Sequence, residues 1–426
     1  MIFYIIALIV FMTQCFLMIF TYFNDKSKHK KSNNILKNND QKFFYIILVP
    51  CLNEETVIQD TLKHLLKLNI DQHIIVIDDA STDKTIKMAN EVSGPISILK
   101  RTLPDAQTGK GNALNSAIPM IKKIISESSY DNKHTIIGVM DADGVLSYNS
   151  GDELNQAFCD STVDAVQLRV KMKAPKSILQ TFQDIEFFVI NHLTQLFRSN
   201  IDATALCGNG QFFRASSVFS KLGDHPWGNA LLEDYELTLR MKLQGLKITY
   251  IGNAYVDQEA LTSLKKLIIQ RARWAQGGFN CWKYLKPVIK SKIMTDLQKD
   301  DVIMFFIFPA LNLLSDFTII YYTIKFFFLD DHDLLNGFID LAFLSILGLL
   351  FGVLFTQLYV KELKNTEKKG VIIDHTDFLN KKLNIFKKIK AILLVSYMYV
   401  VLFGSLMISI IRLSKRNNSW VKTKRI

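Results

Sequence analysis

Ile136-Ile137-Gly138-Val139-Met140-Asp141-Ala142-Asp143-Gly144 joins a short apolar run to two carboxylates one residue apart and then to a glycine. An aliphatic run of this length, bounded by turn residues, reads as a buried strand. In an open α/β sheet, ligands sit beyond the carboxyl ends of the strands, so Asp141 and Asp143 fall where chemistry is expected. Two such carboxylates can turn oxygens toward one divalent cation and leave waters or phosphate oxygens to complete an octahedron. An acidic turn is also a common solvated loop, so the reading depends on what else the chain brings there.

Working outward, the same grammar repeats between about Lys42 and Lys299. Phe44 to Val49, Ile74 to Ile77, Ile96 to Leu99 and Ala165 to Val170 are further strand candidates, while Glu54 to Leu68, Asp83 to Val92 and Gly111 to Ile125 have helical spacing. The first strand ends in Pro50-Cys51-Leu52-Asn53-Glu54-Glu55 and the second in Asp78-Asp79-Ala80-Ser81, which puts polar groups at the same mouth. No G-x-G-x-x-G follows the first strand and no G-x-x-x-x-G-K-[ST] occurs, so dehydrogenase and NTPase readings fall away. The five cysteines lie far apart without C-x-x-C, which indicates neither a zinc site nor a disulfide framework, only small reduced core residues.

Two later stretches add groups of a different kind. Leu231-Leu232-Glu233-Asp234-Tyr235-Glu236 places acids at the start of an expected amphipathic helix running through Arg240 to Leu243. Glu233 there suits the helix dipole, and Asp234 can serve either that role or as a general base. Gln270-Arg271-Ala272-Arg273-Trp274 offers an amide, a guanidinium fork for phosphate oxygens and a flat ring for a sugar face, and it equally suits a basic helix lying at a membrane surface.

The 426 residues exceed one domain, and the chain carries 51 Lys and Arg against 40 Asp and Glu. Much of the basic excess flanks apolar segments, which suggests membrane flanks and not a nucleic-acid partner. Met1 to Phe23 contains an apolar run of about 20 residues, enough for an uncleaved anchor, and Lys26 to Lys31 after it puts the following domain in the cytoplasm. Val302 to Leu329, Leu334 to Val360 and Ile389 to Leu413 are each long enough to span. Acidic Asp330, Asp331 and Asp333 suit an external turn, and Lys361 to Lys369 suits a cytoplasmic one. Three simple crossings would leave the basic tail Lys415 to Arg425 outside. Pro309, Asn312, Ser315 and Asp316 therefore raise a broken or re-entrant first segment as an expectation.

The ordered set V-P-x-x-N-E, D-D-x-S-x-D, K-x-x-A-L-N, D-A-D, G-N-G-x-x-x-R, E-D-x-E-L and Q-R-x-R-W, spread from Val49 to Gly278, resembles the membrane-integrated family 2 glycosyltransferases, which include synthases of cellulose, hyaluronan, chitin and poly-N-acetylglucosamine. The resemblance implies an α/β GT-A (Rossmann-like) cytoplasmic domain over residues 42–260, interfacial helices over 261–300 and an α-helical transmembrane domain over 302–413. It implies an inverting single displacement. Asp79, Asn53 and Glu54 would hold the nucleoside, Lys110 would face the donor phosphates, and Asp141 with Asp143 would hold Mg2+ or Mn2+ against them. Asp234 would take the acceptor proton, and Gln270 with Arg273 would meet the diphosphate. Trp274 would support the acceptor sugar, with Gly208, Asn209 and Gly210 letting the two substrates approach. Trp420 to Arg425 resembles a W-x-x-T-x-R tail that folds back near the nucleotide, placing Arg425 at the donor.

The resemblance further implies a UDP-sugar donor, UDP-glucose or UDP-N-acetylglucosamine, and elongation of a β-linked polysaccharide at the cytoplasmic membrane face. About four crossings are few for a polymer pore, so a homo-oligomer or an accessory export subunit is a possible partner. Transfer of a single sugar to a membrane lipid is the alternative. A channel or transporter with an inactive nucleotide domain is the reading from another class.

Overall fold

The computed structural model describes residues 42–328, 334–368 and 386–415, with some helical residues between Ile9 and Tyr22. Most of the expected N-terminal anchor, the basic run at 26–31, the acidic residues at 330, 331 and 333, and the tail with Trp420 and Arg425 lie outside the described residues.

One mixed sheet organises the first part of the chain. Its strands are β1 (Phe44–Cys51), β2 (Asp71–Asp78), β3 (Ile96–Lys100), β4 (Thr135–Val139), β5 (Val145–Leu146), β6 (Ala165–Met172), β7 (Gln211–Arg214) and β8 (Ile248–Gln258). They lie in the order β3-β2-β1-β4-β7-β6-β8-β5. β1 pairs parallel with both β2 and β4, and β7 reverses direction between β4 and β6. β1 is buried on both faces, which explains why its sequence is continuously apolar and not alternating. Tyr45, Ile47 and Val49 pack with Ile58, Leu62 and Phe158 on one face, while Phe44, Ile46 and Leu48 pack with Ile121, Leu237 and Met241 on the other. The period of two thus builds two cores from one strand and leaves its carboxyl end open.

Local departures from the expected elements have local causes. The first helix begins at Ile58, because Glu54 lies in a turn whose carbonyl accepts the Val57 and Ile58 amides. The stretch expected as one helix from Gly111 divides into Lys110–Ser116 and Ile118–Glu127, with Pro119 in the first turn of the second, where its missing N–H breaks no intrahelical bond. Glu233–Leu243 is a helix as expected but is not amphipathic. It is buried nearly all round, Leu237 and Met241 against the sheet and Tyr235 and Leu239 against the next layer.

Beyond the sheet come the interfacial helix Leu264–Asn280 and three long helices, Asp296–Phe328, Leu334–Lys368 and Phe386–Ser414. Two stretches among the described residues, Asp296–Thr318 and Tyr397–Ser414, are long and apolar enough to cross a membrane. Only 17% and 28% of their apolar windows are buried, so the protein does not cover them as it would a core helix. The first helix runs continuously through Pro309, which corrects the expectation of a broken segment. Side chains tie these helices to the sheet domain and to one another: Arg169 Nη1 donates to Glu362 at 3.0 Å, Tyr22 Oη donates to the same carboxylate at 2.5 Å, Tyr359 Oη donates to Asp184 at 2.5 Å, and Arg412 Nε donates to Gln276 at 2.6 Å.

Candidate active site

The carboxyl ends of β1, β2 and β4 meet at a cavity of about 520 Å³, closed on its far side by the helices Glu233–Leu243 and Leu264–Asn280. Glu54, Asp79, Lys110, Asp141, Asp143, Gly208, Asp234, Gln270, Arg273 and Trp274 all line it, although they span more than half of the chain. Asn53, Asn209 and Gly210 do not. The Asn53 side chain accepts from the Thr82 amide at 2.8 Å and ties the two strand-end loops together. Asn209 is buried behind the wall, where its Oδ1 accepts from the Asp141 amide at 3.1 Å. Gly210 has φ +69, and a Cβ there would meet Val256 at 2.8 Å. These residues shape the loops behind the cavity and are not among its lining residues.

Charge is concentrated at one end. Lys110 Nζ lies 2.6 Å from Asp141 Oδ1 and 3.6 Å from Glu233 Oε1, and it donates to the Gly208 carbonyl at 3.3 Å. Burial works against its charge, but Asp141 and Glu233 outweigh that and hold its pKa above the ordinary value. Asp143 Oδ2 accepts from the Glu259 amide at 3.0 Å. Asp79 pairs with Arg101, at the end of β3, a partner that the sequence alone did not single out.

Asp234 sits opposite Lys110. Burial, reinforced by the neighbouring Glu233 carboxylate, pushes its pKa up to about 7. A carboxylate poised there is ionised in part near neutrality and basic enough to accept a proton from a hydroxyl, which matches the requirement for a general base. Gly208 leaves room for it: φ is +77, and a Cβ would stand 3.2 Å from Asp234 Oδ2. Cys207 also lines the cavity, and burial, with Asp234 nearby, raises its thiol to about 11, so it stays protonated. It is a free thiol, as its sequence context suggested, but it lines the cavity instead of the core.

Trp274 lines the cavity from the helix Leu264–Asn280. The Arg271 guanidinium lies 4.0 Å from its ring centroid, Phe187 meets it edge-on, and Arg271 Nη2 donates to Glu186 at 3.0 Å. Arg273, lowered from its ordinary pKa by burial, faces Glu233 and Asp141.

Among the described residues, no group of three or more His, Cys, Asp or Glu gathers to hold a metal by itself. Asp141 and Asp143 nevertheless open onto one cavity beside a fixed cation. Two carboxylates form a partial oxygen set that diphosphate oxygens and water complete, which is how a hard divalent ion is ordinarily bound beside a nucleotide. The residues present therefore fit Mg2+ or Mn2+.

Residues 42–277 match the family described as "Glycosyltransferase like family 2". The chain is 30% identical over 260 residues to a beta-monoglucosyldiacylglycerol synthase of Nostoc sp., covering 59% of this chain and 53% of that protein. It is 27% identical over 266 residues to the poly-beta-1,6-N-acetyl-D-glucosamine synthase of Staphylococcus aureus, covering 61% and 60%. The chain thus spans little more than half the length of these curated relatives. Among solved structures, a mannosyltransferase from Pyrobaculum calidifontis in complex with GDP-Man and Mn2+ superposes with a TM-score of 0.58 over 93% of this chain and 99% of that one, at 14% identity. That likeness is one of fold.

Proposed function

The chain belongs to the family 2 glycosyltransferases and carries their GT-A-like α/β fold; from that premise we propose that it is an inverting, metal-dependent transferase working at the cytoplasmic face of a membrane with a UDP-sugar donor. The observation that carries this reading is the convergence of Asp141, Asp143, Lys110, Arg273 and Asp234 on one cavity. In the proposed reaction, an acceptor hydroxyl attacks the anomeric carbon, Asp234 takes the proton, and the bond to the diphosphate oxygen breaks with its electrons leaving on that oxygen. Lys110 and Arg273 act where that negative charge develops, and Gln270 is placed to orient the diphosphate. Asp79, held by Arg101, and Glu54 bound the nucleoside end. A divalent ion held by Asp141 and Asp143 would neutralise leaving-group charge. The mannosyltransferase of similar fold is described with Mn2+ and a nucleotide sugar, which supports the same class of ligand here.

The expected product is a β-linked polysaccharide, in keeping with the relative that makes poly-N-acetylglucosamine. Single transfer to a lipid is a second reading with its own support, a relative named for a glucosyl lipid and a largely apolar space beyond Trp274. The membrane assignment rests on the two apolar helices, whose surfaces the protein leaves uncovered.

The test is a panel of UDP-sugars with purified full-length chain in detergent, UDP release being read with and without Mg2+ or Mn2+, followed by product mass. The expected result is metal-dependent release that is lost in Asp143→Ala and Asp234→Asn. Unchanged turnover in both variants would refute the role assignments.

A further inference from the structure

The loop Cys207-Gly208-Asn209-Gly210 runs between the two halves of the proposed chemistry. On one side Gly208 lies against Asp234, where a Cβ would stand 3.2 Å from Oδ2. On the other, Gly210 N donates at 3.1 Å to the carbonyl of Val139, the last residue of the strand that leads into Asp141 and Asp143. Buried Gln167 fixes the loop, since its Oε1 accepts from the Cys207 amide at 2.7 Å and its Nε2 donates to the Asn209 carbonyl at 2.9 Å. The Asn209 side chain, 1% exposed, uses both ends of its amide. Oδ1 accepts from the Asp141 N–H at 3.1 Å, and Nδ2 donates to Gln258 Oε1 at 3.2 Å. A main-chain N–H can only donate, so the amide oxygen must face Asp141 and the amine must face Gln258. Gly144 makes room for this contact, because a Cβ there would stand 3.1 Å from Asn209 Oδ1. Glu259, next to Gln258, gives its amide to Asp143 Oδ2 at 3.0 Å, and β5, which follows Asp143, pairs with β8 through Val145 and Asp257. The end of β8 thus frames both carboxylates, one through Asn209 and one directly.

We propose that Asn209, steadied by Gln258, is a positioning residue for the metal-binding carboxylates: it fixes the turn that starts at Asp141, so that Asp141 and Asp143 present oxygens to one divalent ion at a set distance from Asp234. This role rests on the metal-dependent transfer reading and assigns within it a side chain that does not line the cavity. Lys110 bridges the same two loops, but it does so through the Asp141 carboxylate, which the ion must share. Glu259 restrains Asp143 alone. Asn209 instead bonds the main chain of Asp141 and leaves that carboxylate to the cavity. Its own loop carries Gly208 against Asp234, so a single side chain ties the ligands of the leaving group to the position of the base. Outer contacts of this kind orient metal ligands, and their loss ordinarily weakens metal binding by about 10- to 100-fold, since the ion must then order the ligands that it meets.

The experiment uses the full chain in detergent, saturated with UDP and titrated with Mn2+ while the signal of the unbound ion is followed by electron paramagnetic resonance. The titration gives the dissociation constant and the number of sites separately. Asn209→Ala removes both side-chain bonds and should raise the Mn2+ Kd by about 10- to 100-fold with the number of sites unchanged. Gln258→Met removes only the bond that steadies the amide and should raise the Kd less, by several-fold. UDP binding without metal should be unchanged in both. A merely structural role would instead lower the number of sites, as unfolded chain accumulates, and leave the Kd of the folded remainder at its original value. That result in Asn209→Ala would overturn the proposal. Should Asn209→Ala fail to fold, Gln258→Met decides alone, and an unchanged Kd there would overturn it. Either result leaves metal-dependent transfer intact, whereas absence of Mn2+ binding by the unaltered chain would bring down that reading and this one with it.

Discussion

Asp234→Asn should make the protein more stable at neutral pH as it makes it inactive. Burial and Glu233 raise the carboxyl from its ordinary 3.8 to about 7, so the native state keeps this proton to higher pH than the unfolded chain does. A group with that sign contributes stability that is complete below pH 3.8, falls as pH rises through the window up to about 7, and is gone above it. The rise is equivalent to ~4 kcal/mol at most, since one pKa unit corresponds to about 1.4 kcal/mol. An amide of the same shape never ionises and so avoids the penalty. In detergent, without donor or metal, the melting temperature of Asp234→Asn minus that of the unaltered chain should be smallest near pH 4 and should grow by several degrees by pH 8. Turnover should fall by about 10² to 10⁴-fold, as removal of a general base does. A difference in melting temperature that is independent of pH, or one that shrinks toward pH 8, would refute the burial argument. Retained turnover would refute the assignment of the base.

The acid limb of the rate profile should follow the same group, with kcat/KM rising toward a midpoint near 7, and Glu233→Gln should move that midpoint down because it removes the like charge next in importance to burial. Gly208→Ala places a Cβ 3.2 Å from Asp234 Oδ2 at φ +77, so kcat should fall by about tenfold or more with a stability loss of only ~1 kcal/mol, read by thermal melting. Arg271→Lys keeps the charge facing Glu186 but loses the flat guanidinium 4.0 Å from the Trp274 ring. Acceptor KM should rise several-fold with donor KM unchanged, measured by varying each substrate in turn. Glu362→Gln leaves Arg169 without its buried ionic partner and should cost about 3 kcal/mol or more, seen as a lower melting temperature with little change in donor KM.

The parts of this site that the sequence made legible are those fixed by chain direction. A strand that is apolar throughout must be buried, and the residues after it must emerge at the mouth, which is why the sequence alone places Asp79, Asp141 and Asp143. Asp234, Gln270, Arg273 and Trp274 could be named only through their order with the other motifs, since a helix dipole or a membrane surface explains each of them alone. What stayed hidden depends on which way helices cross. Arg101 is one basic residue among many until β3 sets it against Asp79. Glu186 and Arg271 meet across 85 residues, and Arg412 reaches Gln276 across 136. The apolar space beyond Trp274 has no sequence signature either, because Ala275, Phe308 and Leu402 are unremarkable on their own helices and form a lining only where three helices meet. The carboxylates at the strand ends follow the sheet, whose register propagates locally, whereas Lys110, Asp234, Gln270 and Arg273 stand on helices, whose packing contacts are long-range. The reaction type was therefore legible only in the ordered set of motifs, and the walls that the helices build were not.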